Sequence, residues 1–93
     1  MLDTTIISFG NLTGFRYDFP IAGDMLPMHE HGDADNHISI VNKGSFKVHG
    51  DGWELTLVAG NVVDWPAHQR HEFIALEDNS CLVNIVKGDT KRG

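Results

Sequence analysis

Cysteine is almost missing from this chain. Cys81 stands alone among 93 residues, so no internal disulfide can form and a disulfide scaffold is excluded. It lies in the apolar run Cys81-Leu82-Val83 and is read as a small buried hydrophobe. Apolar runs extend for a few residues only, far short of a membrane-spanning helix. Basic residues are scarce as well, with 7 Lys and Arg against 13 Asp and Glu and a formal net charge of −6. No basic run stands out, which argues against nucleic acid and anionic membranes as partners, since both need a positive face. The opening residues Met1-Leu2-Asp3-Thr4-Thr5 have neither a basic nor an apolar leader region, so no signal peptide is expected and the cytoplasm is the expected compartment.

What the chain does have is β-strand patterning broken by turn residues. Ninety-three residues make one domain, residues 1–93, with a modest core. Short β-rich runs are expected at Thr4–Phe9, Phe15–Phe19, Met25–His31, His37–Asn42, Ser45–His49, Trp53–Val58, Val62–Trp65, His71–Leu76 and Cys81–Lys87. Asp51-Gly52 is a two-residue hairpin signal, because glycine readily takes the positive φ such turns need. Pro27 marks its run as an edge or irregular strand. The polar tail, residues 88–93, is expected to fray. No segment shows a helical period, so the chain is predicted to be all-β, a barrel or sandwich of about nine strands.

The unusual feature is six histidines, at positions 29, 31, 37, 49, 68 and 71. His29 and His31 share one face of a strand, because side chains two apart point the same way. His37 opens the next strand after a five-residue loop, and His71 opens a later strand after a Pro-containing turn. Neutral imidazoles converging on one point make a site for iron, manganese, cobalt, nickel, copper or zinc, whereas magnesium and calcium prefer oxygen. Two exposed histidines on a solvated strand would explain His29-Glu30-His31 equally well, so the surrounding pattern decides.

That pattern resembles the cupin family. Its first motif commonly reads Gly, five residues, His-X-His, three or four residues, Glu, six residues, Gly. This chain has Gly23, five residues, His29-Glu30-His31, five residues, His37, six residues, Gly44. The second motif reads Gly, five residues, Pro-X-Gly, two residues, His, three residues, Asn. Here it is Gly60, five residues, Pro66-Ala67-His68, two residues, His71, three residues, Ala75. The resemblance implies a jelly-roll β-barrel with a divalent transition metal on His29, His31, His37 and His71. His37 stands where the family has Glu, as in the four-histidine subset of small cupins. A neutral ligand there leaves a divalent ion its full +2 charge and makes it a stronger Lewis acid.

Several further expectations follow. Strand parity with the histidines places Met25, Ser39, Val41 and Phe73 in the pocket wall. His68 is a candidate acid/base group at the barrel mouth, with a solvated loop residue as the alternative. His49 is expected to be exposed. Phe46, Val48, Trp53, Leu55, Leu57 and Trp65 are assigned to the core or to a dimer interface. Arg70, beside His71, and Arg16, on an early strand, are the only candidate cations for a substrate carboxylate, and both are read as surface residues. The resemblance implies a metalloenzyme acting on a small molecule, with oxygenase chemistry foremost. An isomerase or lyase on a sugar or small acid is the rival within the enzyme class, and a non-catalytic small-ligand sensor is the rival outside it. A homodimer joined through an edge strand is expected, with Thr4–Phe9 the natural strand to lend.

Overall fold

Nine strands form two antiparallel sheets in the computed structural model, which describes residues 2–9, 12–29, 36–65 and 69–87. They are β1 (Asp3–Phe9), β2 (Leu12–Phe19), β3 (Met25–His29), β4 (Asn36–Lys43), β5 (Ser45–Gly50), β6 (Trp53–Val58), β7 (Val62–Trp65), β8 (His71–Ala75) and β9 (Ser80–Lys87). One sheet has the order β1-β2-β9-β4-β7 and the other β3-β8-β5-β6. Every pairing between them is antiparallel. Among the described residues there is no helix, and so none long and apolar enough to cross a membrane.

Alternation builds the core. Thr13, Phe15, Tyr17 and Phe19 of β2 point inward, as do Leu82, Asn84 and Val86 of β9 and His37, Ser39 and Val41 of β4. The second sheet answers with Phe46 and Val48 of β5 and His71, Phe73 and Ala75 of β8. The centre is aromatic. Phe46 meets Phe19 edge-on at 4.8 Å between ring centroids and Phe73 at 6.2 Å. Such edge-to-face contacts add to the free energy of burial.

Two turns use glycine for a physical reason. In the β5–β6 hairpin, Gly50 pairs with Trp53, so Asp51-Gly52 is a two-residue loop, with Gly52 at φ +79° as the sequence predicts. Between β4 and β5, Gly44 has φ +79°, and a side chain there would also run into Ser80, whose backbone Cα would lie 2.9 Å from an added Cβ. This turn carries the chain from one sheet to the other while packing against the start of β9.

One predicted register is wrong, with a local cause. Met25 was expected in the pocket wall by parity with His29. It is instead 43% exposed and pairs with Ile74, while Leu26 pairs with Phe73 and faces the interior. Leu26 and His29 are three positions apart, against two for their partners Phe73 and His71. The extra residue is a bulge containing Pro27, and a one-residue slip exchanges the two faces of a strand. Leu55, assigned to core or interface, is 43% exposed on the sheet-edge strand β6, whereas Phe46, Val48, Leu57 and Trp65 are buried.

Candidate functional site

The start of β4 and the start of β8 belong to different sheets, yet both lie at the same end of the molecule. They bring His37 and His71 together inside it, with ring centroids 5.5 Å apart and planes inclined by 39°. His37 is 1% exposed and His71 0%. The backbone of His29, the last residue of β3, lies directly opposite His71 in the β3–β8 ladder. Its side chain, together with His31 and His68, lies outside the described residues. Among the described residues no group of three or more potential metal ligands forms.

His71 is held on several sides. Its Nδ1 lies 2.9 Å from the Gln69 carbonyl oxygen. A carbonyl only accepts, so Nδ1 carries the proton and the lone pair of the neutral ring sits on Nε2. Trp65 stacks on the imidazole at 4.5 Å and 16°, and Phe73 meets it edge-on at 5.6 Å and 88°. The ring therefore has one orientation and one tautomer, the arrangement that outer partners give to ligating histidines.

Beside the histidines runs a buried polar chain. The Trp65 indole N–H donates to Ser39 Oγ at 2.8 Å, and Ser39 Oγ donates to Asn84 Oδ1 at 2.7 Å. Val41 and Phe73 complete this inner wall, so Ser39, Val41 and Phe73 all face the interior. The roles of Asn84 and Trp65 were not foreseen. Asn84 had a visible signal, since it is a polar residue in the inward phase of Leu82 and Val86. The stacking of Trp65 on His71 joins two sheets and has no signal in local spacing.

Other titratable groups lie elsewhere. His49, expected to be exposed, is half-buried, with Nε2 2.7 Å from Glu72 Oε1, because the β5–β8 ladder places the two opposite each other. Arg16 is exposed and held by Asp18 on the outer face of the five-stranded sheet, and Arg70 is exposed near Asp51. A cleft of about 170 Å³ lined by Arg16, Asp18, Lys43, Ser80 and Cys81 lies at the far end of that sheet from the histidines. Burial pushes the Cys81 thiol above its usual range.

Two antiparallel sheets closing over an aromatic core, with inward histidines at one end, define a jelly-roll barrel. The cupin domain family matches residues 15–86, and the chain belongs to that family. Similar solved structures include KdgF from a Halomonas species, at TM-score 0.83 and 24% identity, covering 94% of this chain and 78% of that one. A cupin superfamily protein from Desulfitobacterium hafniense gives TM-score 0.82 at 16% identity, covering 96% and 79% respectively. An RmlC-like cupin from Desulfovibrio desulfuricans gives 0.81 at 22%, covering 92% and 81%. At these identities the likeness is one of fold. No curated protein matches the chain.

Proposed function

We propose that the histidine end of the barrel is a mononuclear transition-metal centre that binds a small oxygen-bearing molecule. The observation supporting this most directly is the buried His37–His71 pair, contributed by both sheets, with the His71 lone pair fixed on Nε2. Neutral imidazoles suit iron, manganese, cobalt, nickel, copper or zinc. His37 and His71 would hold the ion, joined by His29 and His31. The metal would supply Lewis acidity or access to oxygen chemistry, and His37 in place of a carboxylate would leave its charge undiminished.

The chain's own residues contribute three things to this reading. Trp65, Phe73 and the Gln69 carbonyl orient His71. Val41, Phe73 and Val86 keep the interior apolar and the dielectric low. Ser39 and Asn84 supply polar groups at a fixed place. His68 is proposed as an acid/base group at the mouth. Oxygenase chemistry on a small molecule is the favoured activity. An isomerase or lyase on a sugar or small acid, and a non-catalytic sensor, are distinguished from it by oxygen uptake with small diketones, phenols or thiols.

The test is elemental analysis of natively expressed protein, repeated with His37→Ala. Near-stoichiometric transition metal is expected in the parent, with markedly lower content in the variant. Unchanged occupancy would demote His37 to a bystander. A homodimer in the cytoplasm belongs to the same proposal. β1 is a sheet-edge strand, pairs only with β2 among the described residues, and carries Ile6 at 62% exposure. Light scattering is expected to give about twice the 10.3 kDa chain mass, and the mass of one chain would remove this part of the proposal.

A further inference from the structure

Inside the barrel, one row below His37, the polar chain ends in a donor that meets no acceptor among the described residues. The indole N–H of Trp65 can only donate, so Ser39 Oγ accepts it. The single Ser39 proton is then committed to Asn84 Oδ1. With Oδ1 accepting from Ser39, the group left over is the Nδ2 amino group. Asn84 is 0% exposed, and among the described residues no hydrogen-bond partner meets its Nδ2. The Thr13 hydroxyl, on the other side of the sheet interior and 1% exposed, is in the same condition. Leaving buried polar groups unpaired costs free energy, so such groups call for an explanation.

The registers show where these groups point. Asn84 lies opposite Ser39 and Phe15, while the next inward residue of β9, Val86, lies opposite His37 and Thr13. His37 and Thr13 are therefore the lateral neighbours of Val86, and Asn84, two residues along the same strand, is the diagonal neighbour of both. Diagonal neighbours on one face of an antiparallel pair are roughly 7–8 Å apart, close enough for both to meet one small molecule.

We propose that the Asn84 amino group is a substrate-binding donor. It would receive a carbonyl or carboxylate oxygen of a small acid whose other end sits at the histidines, and Trp65 and Ser39 act as positioning residues for it. The ligand class is thereby narrowed to oxo or carboxylic acids of a few heavy atoms, lying over Val86 with Thr13 as a second polar contact. No cation is required, because a neutral amide donor in a dry site suffices to orient an acceptor oxygen. A ligand that presented a donor there would leave two donors facing each other and would be rejected.

This rests on the metal-centre reading, and the experiment separates the two. The full chain is loaded with zinc, which is diamagnetic, and titrated with pyruvate while the Asn84 side-chain amide and the histidine ring signals are followed by NMR. The expected result is a saturable shift of both Asn84 Nδ2 protons. Failure of the histidine signals to respond to zinc would overturn the metal-centre reading. Zinc binding with no pyruvate binding, or pyruvate binding that leaves the Asn84 protons unmoved, would overturn the assignment of Asn84 and leave only a buried water beside it. The Asn84→Leu variant should bind zinc normally but pyruvate about tenfold more weakly, the effect of one lost hydrogen bond. Equal pyruvate affinity would also count against the proposal, and the titration of the unaltered chain decides even where the variant fails to fold.

Discussion

Replacing His71 by alanine is expected to lower transition-metal affinity by at least about 100-fold, the upper end of what partners that merely orient a ligand contribute. His71 is the described histidine with the most complete support. It is fully buried, its tautomer is fixed by the Gln69 carbonyl, and its plane is set by Trp65 on one face and Phe73 at the edge. A ligand so prepared gives up little freedom on binding, so its loss removes a donor atom whose ordering cost was already met in folding. Equilibrium dialysis against a competing chelator measures the change directly. Trp65 gives a second readout, because its indole lies 4.5 Å from the imidazole and its emission should respond to copper or nickel in the parent and much less in the variant. Trp53, 5.8 Å from Trp65, supplies a background that the Trp53→Phe variant removes. Metal affinity unchanged by His71→Ala would take this residue out of the ligand set.

The strand map was legible because two signals agreed at most positions. Period-two alternation placed the inward residues of β4 and β8, and glycine or asparagine marked the turns between strands. The Asp51-Gly52 hairpin appears where the residues predict it. Met25 was misplaced because parity survives only while a strand keeps its register, and the bulge at Pro27 breaks it. Leu55 is exposed although it shares the parity of the buried Leu57, since β6 closes its sheet and leaves one side uncovered. The insertion of β9 between β2 and β4 is a long-range choice that local residues do not encode. For the site, the histidine spacing drew attention to His37 and His71, which the fold brings together. Nothing local announced that an indole from β7 would cover one of them and anchor a hydrogen-bonded chain leading to Asn84.

Replacing Phe46 by alanine is expected to destabilise the chain by about 3–5 kcal/mol, the usual cost of removing a fully buried aromatic side chain. Total stability for a domain of this size is about 5–15 kcal/mol, so the variant would be near or past the point of unfolding. The position explains the size of the effect. Phe46 has no exposed surface and joins the sheets at their centre, edge-on to Phe19 from β2 and to Phe73 from β8. Two aromatic contacts and the apolar burial are lost together, and a ring-sized void opens between layers that cannot close without shifting both sheets. Phe73 would lose one of its supports, and it is the residue that meets the edge of His71, so the damage would pass from core to site. Urea unfolding in the presence of chelator isolates the packing effect, since bound metal would add its own stabilisation to the folded state. The expected result is a large fall in the midpoint with an unchanged slope, and Phe46→Leu should recover most of the loss by refilling the space. A midpoint close to that of the parent would mean that the two sheets are held together by something other than this aromatic centre.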